Sequence, residues 1–163
     1  MTELWDLYNQ ERKKVGRLHE RGTPIPKGLY HLVVSIWIVN SQGQYLMSQR
    51  HPNKPYPECW ECTGGSVLYG ENSLHGAVRE VEEELGLTLK ADTAQLIYQA
   101  RRDDCQDFYD VWRFQSDVPV ASLKLQSNEV IAAKWMDQAI IYELQRKGKL
   151  HPLINYLDAV FDQ

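Results

Sequence analysis

The sequence predicts an α/β fold in which helices cover both faces of a mixed β-sheet, an α/β/α sandwich. Short segments rich in β-branched and aromatic residues alternate with turn signals, as strands do. One long amphipathic helical pattern separates the early strands from the later ones, and two further helical patterns follow the last strand. The 163 residues suit one domain, 1–163, which we divide into an N-terminal hairpin (1–28) and a core (29–163).

The first part of the chain is predicted to contain a small hairpin and two core strands. Residues 3–8 alternate polar and apolar side chains before a polar turn, which is typical of a hairpin. Prolines and glycines make residues 17–28 a connecting loop. Residues 30–39 are apolar and β-branched, so we expect a buried central strand. After the turn at 40–43, residues 44–49 are expected to return as its hairpin partner.

The long helical pattern follows, with Asn72 or Ser73 as its N-terminal cap and Gly86 as a left-handed C-terminal cap. Its apolar stripe should face a core. The elements expected after it are strands at 95–102, 108–115 and 129–136, a helix at 138–147 capped by Asp137, and a last amphipathic helix at 153–161.

Composition and charge argue against several classes of protein. The net charge of −4 does not suit general nucleic-acid binding, which needs a basic face. The longest apolar run, around residues 32–39, is too short to cross a bilayer. Three cysteines are an odd number, which suits a reduced compartment better than a disulfide framework. We therefore expect a cytoplasmic protein that binds neither nucleic acid nor a membrane.

Three glutamates on the long helix lie on one face. Glu80, Glu83 and Glu84 are spaced i, i+3 and i+4, with no lysine between them. Like charges at this spacing destabilise a helix by a few tenths of a kcal/mol per pair. One explanation is a solvated acidic face. The other is a site for Mg²⁺ or Mn²⁺, which proteins hold with carboxylates and the phosphates of a substrate.

The residues around these glutamates favour the metal site. The stretch 65–87 reads Gly-x5-Glu-x7-Arg-Glu-aliphatic-x-Glu-Glu-x-Gly-aliphatic, and it matches the Nudix box at every fixed position without a gap. The chain therefore resembles a Nudix hydrolase. The resemblance implies the Nudix α/β/α sandwich and hydrolysis of the diphosphate linkage in a nucleoside diphosphate joined to another group, X. It also makes a homodimer an expectation, because many members of the family form dimers.

The resemblance further implies roles for single residues. Glu71 would orient water or a ligand, Arg79 would hold the carboxylates in place, and Glu83 would act in catalysis. Which carboxylate serves as the general base stays open. Mg²⁺ or Mn²⁺ would be the cofactor. The implied metal ligands are Gly64 through its carbonyl, Glu80, Glu83, Glu84 and Glu129.

A basic, proline-rich loop after the second core strand carries Arg50 and Lys54. Two interpretations are open for these cations: solvated surface charge, or contact with the phosphates of a small-molecule diphosphate substrate. The nearby Cys59-x-x-Cys62 lacks the second pair that a zinc site needs, so we expect buried or half-buried thiols there.

Two other functions stay open. The flanks of the box also resemble type 1 isopentenyl-diphosphate isomerases. His31 of this chain matches one of the metal-binding histidines of those enzymes. The isomerase cysteine, however, falls at Gly64 or Gly65, and its paired glutamates fall at Phe108 and Asp110. A nucleotide-sensing Nudix domain without catalysis is the other alternative. Such domains tend to lose box carboxylates, and none is missing here, so the hydrolase is favoured.

Overall fold

The computed structural model describes residues 2–163. Strands, a long helix, further strands and two helices follow one another as predicted. Short 3₁₀ turns occupy Ala91–Thr93 and Val120–Ser122. The elements described are β1 (Leu4–Tyr8), β2 (Lys14–Glu20), β3 (His31–Val39), β4 (Tyr45–Arg50), β5 (Trp60–Glu61), β6 (Thr63–Ser66), α1 (Ser73–Leu85), β7 (Gln95–Arg102), β8 (Asp107–Gln115), β9 (Val130–Met136), α2 (Gln138–Arg146) and α3 (Leu157–Phe161).

Strand β3 is the centre of a seven-stranded mixed sheet. It pairs in parallel with β8 along its whole length, from His31 opposite Asp107 to Val39 opposite Gln115. Its other edge pairs antiparallel with β6, and β7 pairs antiparallel with the far edge of β8. Strands β1 and β2 form a separate two-stranded hairpin. The mixed sheet predicted from the sequence is thus confirmed.

Helices cover both faces of this sheet. Alternate side chains of β3 point to opposite sides, so β3 contributes to a core cluster on each face. On one face, Ile36 belongs to a core cluster with Val81 and Leu85 of α1. On the other, Trp37 belongs to a second cluster with Ile141 of α2 and residues of α3. The α/β/α sandwich is therefore confirmed. No helix within residues 2–163 has both the length and the apolar character to cross a membrane.

Helix α1 begins and ends where the sequence predicted. The Asn72 side chain accepts a hydrogen bond from the His75 backbone N–H at 2.8 Å, which satisfies one free donor of the first turn. Gly86 ends the helix with φ +66°, and its N–H donates to the Glu82 carbonyl. A Cβ at Gly86 would also lie 2.8 Å from the Cβ of Lys124, so this position requires glycine on two counts.

Two predictions about the early strands were wrong: the end of β2 and the pairing of β4. Strand β2 continues to Glu20, inside the segment predicted as a loop, because Trp5 pairs with His19 and Leu4 with Glu20. Strand β4 pairs with β3 only at the turn, between Val39 and Tyr45. It then leaves β3 and pairs with β9 and β5, because β6 occupies that edge of β3.

The C-terminal helices also differ from the prediction. Helix α3 is shorter than expected because a turn at His151 precedes it: the His151 carbonyl accepts from the Ile154 N–H at 3.0 Å. Helix α2 ends at Arg146, one residue before the predicted end. Asp137 stands at the N-cap of α2, but its side chain makes no capping hydrogen bond.

The N-terminal hairpin is fastened to the sheet by a buried carboxylate. Arg12, at the hairpin turn, donates from Nη1 to Oδ1 of Asp110 on β8 at 2.7 Å. Ser73 at the start of α1 donates to Oδ2 of the same carboxylate at 2.6 Å. Asp110 is 1% exposed, so it joins hairpin, helix and sheet inside the protein. The carboxylate of Asp6 in the hairpin also accepts a hydrogen bond from the Gly70 N–H. This bond holds the loop before α1.

His31 is half-buried against this hairpin. Its ring stacks on Trp5 with 4.2 Å between ring centroids, and its Nδ1 has no hydrogen-bond partner within residues 2–163. Burial lowers the pKa of His31 to about 4, although the nearby charge of Asp107 opposes the shift. The ring is therefore neutral in the folded protein at neutral pH.

This histidine should make stability depend on pH. Its folded pKa of about 4 lies below the unfolded value of about 6.5, so between these values the unfolded chain binds a proton that the folded chain does not. Stability should fall as pH drops from 6.5 towards 4, and His31 should account for at most about 3 kcal/mol of that loss. Urea unfolding of the protein and of His31→Phe across this pH range measures the effect.

His31→Phe keeps an aromatic ring on Trp5 and should flatten the pH dependence. The control is His75→Phe on the exposed side of α1, which should keep the wild-type slope. A His31→Phe slope equal to the wild-type slope would contradict the assignment.

Candidate functional site

A cleft of about 380 Å³ opens beside β3 and β6, between the acidic side of α1 and the loop that follows β4. It brings together residues that lie far apart in the sequence. The predicted site residues that line it are Arg50, Lys54, Gly64, Glu80, Glu83, Glu84 and Glu129. Glu71 and Arg79 do not line the cleft; Arg79 contacts Glu80 and Glu83, which do, and Glu71 contacts Arg79.

Arg79 is the hub of the acidic side. Its Nε and Nη2 donate to the two carboxylate oxygens of Glu71 at 2.8 and 3.0 Å. Its Nη1 donates to Glu80 at 3.0 Å and to Glu83 at 3.1 Å, and Nη2 also donates to the Ser66 carbonyl at 2.9 Å. These contacts use all five N–H groups of the guanidinium. Burial opposes the charge, but the contacts with Glu71 and Glu80 raise the pKa of Arg79 above its usual value.

Glu80 is the buried carboxylate of the box, and it lies directly under Gly65. A Cβ built at Gly65 would lie 2.3 Å from the carboxylate carbon of Glu80, so a side chain at that position would displace the carboxylate. Burial raises the pKa of Glu80 to about 7, although the charge of Arg79 opposes the shift, and the charge of Glu83 adds to it. The backbone of Gly65 therefore packs directly against the buried carboxylate of Glu80 at this end of the cleft.

Glu84 differs from Glu80 and Glu83 because no cation donates a hydrogen bond to it in the described part of the chain. Its carboxylate accepts no hydrogen bond within residues 2–163. Burial raises the pKa of Glu84 well above its usual value, and the charges of Glu80, Glu61 and Glu129 add to the shift. The charged form of Glu84 is therefore disfavoured unless a cation binds beside it.

The donor set fits a divalent cation. Carboxylate oxygens are the ligands that hard ions such as Mg²⁺ and Mn²⁺ prefer. Burial raises the pKa values of Glu80 and Glu84, and a divalent ion bound beside them would stabilise their charged forms. Within residues 2–163, no three His, Cys, Asp or Glu side chains form a ready-made cage. Two of the carboxylates point to protein cations instead: Glu83 to Arg79 and Glu129 to Lys54.

Arg50 and Lys54 line the cleft, and each is ion-paired. Arg50 Nη1 donates to both oxygens of Glu61 at 3.1 and 2.8 Å, and its Nε donates to the Pro55 carbonyl. Lys54 contacts the carboxylate of Glu129. These cations therefore stand at the site, in the same cleft as the carboxylates of α1, rather than free on the surface.

Sequence reasoning did not single out several polar residues of the cleft, among them Glu61, Arg102 and His151. Glu61 stands inside the Cys-x-x-Cys stretch, whose cysteines are free thiols as expected. Burial raises the pKa of the Cys62 thiol to about 12, which makes it unreactive. No local pattern pointed to these three residues, because long-range pairing brings β5, the end of β7 and the segment after α2 to the cleft.

Comparison with known proteins supports the resemblance seen in the sequence. The model of the NUDIX domain matches residues 29–154. A relative from Listeria monocytogenes, named as an uncharacterized Nudix hydrolase, is 33% identical over 162 residues, which are 98% of this chain and 94% of that one. An isopentenyl-diphosphate Delta-isomerase from Escherichia coli is 25% identical over 147 residues, covering 86% of this chain and 80% of that one. A crystal structure of a Deinococcus radiodurans protein shares the fold, with a TM-score of 0.72, 24% identity and 91% of each chain covered.

Replacing the Glu84 carboxylate should have different effects on the unfolding temperature with and without a metal ion. In EDTA, Glu84→Gln should unfold at the wild-type temperature or above it, because a neutral amide replaces a carboxylate whose charge is disfavoured by burial. Mn²⁺ at about 100 times its Kd should raise the wild-type unfolding temperature by about 5 °C or more. Glu84→Gln should lose most of that rise in the same thermal scans.

Glu82→Gln is the matched control, since Glu82 is exposed on the same helix and does not line the cleft. It should keep the full manganese-dependent rise. An equal rise in the two variants would show that Glu84 takes no part in holding the ion.

Proposed function

The chain belongs to the Nudix family, and we propose that it is a hydrolase that cleaves the diphosphate linkage of a nucleoside diphosphate joined to another group, X. The observation that carries the proposal is the complete set of box carboxylates beside one cleft, three of them held by Arg79. Arg50 and Lys54 line the same cleft. A substrate that carries phosphates and arrives with a divalent cation matches both sets of side chains.

We assign the cation, Mg²⁺ or Mn²⁺, to the carboxylates of α1 and to the end of the cleft beside them. A bound divalent ion neutralises charge on the phosphates and lowers the pKa of a water molecule that it holds. The residues proposed to hold it are Glu80, Glu83, Glu84, the carbonyl of Gly64 and Glu129.

Glu83 is proposed to accept a proton from the attacking water. Its side chain is 50% exposed and is held by one hydrogen bond from Arg79, so it can reach a molecule in the cleft. Glu71 is placed differently. Both of its oxygens accept from Arg79, one of them also accepts from the Leu68 N–H, and it does not line the cleft. Glu71 and Arg79 are therefore proposed as positioning residues that fix Glu80 and Glu83.

Arg50 and Lys54 are proposed to bind the substrate phosphates. Each keeps free N–H groups beyond its ion pair, since the Nη2 of Arg50 makes no hydrogen bond within residues 2–163. Phosphate oxygens form charge-assisted hydrogen bonds with both side-chain types. This contact would neutralise charge on the phosphates.

The isomerase alternative is disfavoured by the space around its key positions. A Cβ at Gly64 would lie 2.7 Å from the Val34 carbonyl oxygen, so a cysteine there would need a backbone shift, and one at Gly65 would displace the carboxylate of Glu80. Phe108 lies in a buried core cluster, and Asp110 is bound to Arg12. Neither stands where an isomerase glutamate would have to face the cleft.

The test is incubation with Mg²⁺ and a panel of nucleoside diphosphate sugars, dinucleotides, nucleoside triphosphates and isopentenyl diphosphate, with products identified by mass. We expect cleavage of at least one nucleoside diphosphate derivative. Glu83→Gln should lower the turnover of that compound by more than about 100-fold, because it removes the proposed proton acceptor. Circular dichroism checks that the variant stays folded.

Glu82→Gln is the control on the same helix and should keep wild-type turnover. Near-normal turnover of Glu83→Gln would contradict the assigned role of Glu83. Dimethylallyl diphosphate formed without cleavage would instead identify an isomerase, and saturable binding without any turnover would identify a sensor.

A further inference from the structure

One side of the cleft carries hydrogen-bond donors that no protein acceptor uses. The first belongs to Arg102, the last residue of β7. Its Nε and Nη2 donate to the buried carboxylate of Asp107 at 2.8 and 2.6 Å. Its guanidinium carbon lies 3.9 Å from the ring centroid of Tyr109. These contacts fix the plane of the guanidinium, while Nη1 makes no hydrogen bond within residues 2–163.

The second donor belongs to His151, which also lines the cleft. Its Nδ1 accepts the backbone N–H of Leu153 at 3.2 Å, so the proton of the neutral ring stands on Nε2. Tyr56 packs against this ring with 4.5 Å between ring centroids. The Nε2–H has no acceptor within the part of the chain that the structure describes. A fixed, neutral donor therefore stands beside a fixed, charged one.

The chemistry of these donors selects what they can bind. Arg102 Nη1 and His151 Nε2–H can donate but not accept, and the cations nearest to His151 are Arg50, Arg102 and Lys54. A sugar hydroxyl both donates and accepts, so it would leave its own donor unmatched here. A phosphate group at neutral pH offers mainly acceptors and negative charge, and it suits a guanidinium edge.

We propose that Arg102 and His151 bind the oxygens of the substrate diphosphate, in the cleft that the carboxylates of α1 also line. The Asp107 carboxylate and the Tyr109 ring position Arg102 for this contact, as the Leu153 N–H positions His151. The inference rests on the proposed function for the kind of substrate. It extends that function by two binding residues that neither the box nor the basic loop contains.

Inorganic pyrophosphate is the probe, because its binding can be measured without turnover. Calorimetric titrations with Mg²⁺ at equal concentration in cell and syringe would compare the wild type with Arg102→Lys, Arg102→Gln and His151→Phe. Lysine keeps a charge for Asp107 but loses the free guanidinium edge, and phenylalanine keeps a ring on Tyr56. We expect pyrophosphate to bind about tenfold more weakly to each Arg102 variant and several-fold more weakly to His151→Phe.

Arg101→Gln is the matched control. Arg101 is the neighbour of Arg102 on β7, lies outside the cleft and pairs with the exposed Asp103. It should bind pyrophosphate as the wild type does. Wild-type affinity in a folded Arg102→Lys protein would overturn the inference.

The outcome is separable from that of the substrate panel. Weaker pyrophosphate binding in the Arg102 variants supports this subsite even if no panel compound is cleaved. Where a compound is cleaved, Arg102→Lys should raise KM about tenfold and change kcat less than threefold. An effect confined to kcat would contradict a binding role.

Discussion

The geometry of the site depends on the guanidinium of Arg79. One side chain joins the Ser66 carbonyl of β6, Glu71 of the preceding loop, and Glu80 and Glu83 of α1. Because all five donors are used, the carboxylates cannot turn independently of one another. The planar fork also sets the distance between helix and strand. A lysine would keep the charge but could not hold four acceptors in this fixed geometry.

This arrangement is poor for stability and well suited to a ligand. The Glu84 carboxylate accepts no hydrogen bond within residues 2–163, burial raises the pKa of Glu80 to about 7, and a side chain at Gly65 would displace the Glu80 carboxylate. A chain selected for stability alone would replace such groups with apolar ones. Arg102 and His151 have the converse property, because they keep donors that find no acceptor in the described part of the chain. A cation would bind the carboxylates of α1, and phosphates would accept hydrogen bonds from Arg102 and His151. The protein groups themselves do not make these contacts with one another.

Local chemistry made much of the fold predictable, and long-range pairing limited the rest. Asn72 and Gly86 marked the ends of α1 because capping depends on residues next to the helix. Nothing local indicated that β4 would leave β3, since β6 displaces it. The box residues were found by their spacing within one segment. Arg102 and His151 were not, because their place at the cleft follows from the strand order and from a turn after α2.

The parallel pairing of β3 with β8 has a consequence for how the protein is made. His31 pairs with Asp107, so β3 emerges from the ribosome long before its partner does. Until then its apolar side chains and one open edge have no permanent cover, although β6 can pair with the other edge soon after synthesis. Contacts of this sequence separation close slowly, because the loop entropy is lost before the pairing compensates it. The central strand is therefore the segment that a nascent chain most needs to keep from other chains, and folding should be limited by the arrival of β8.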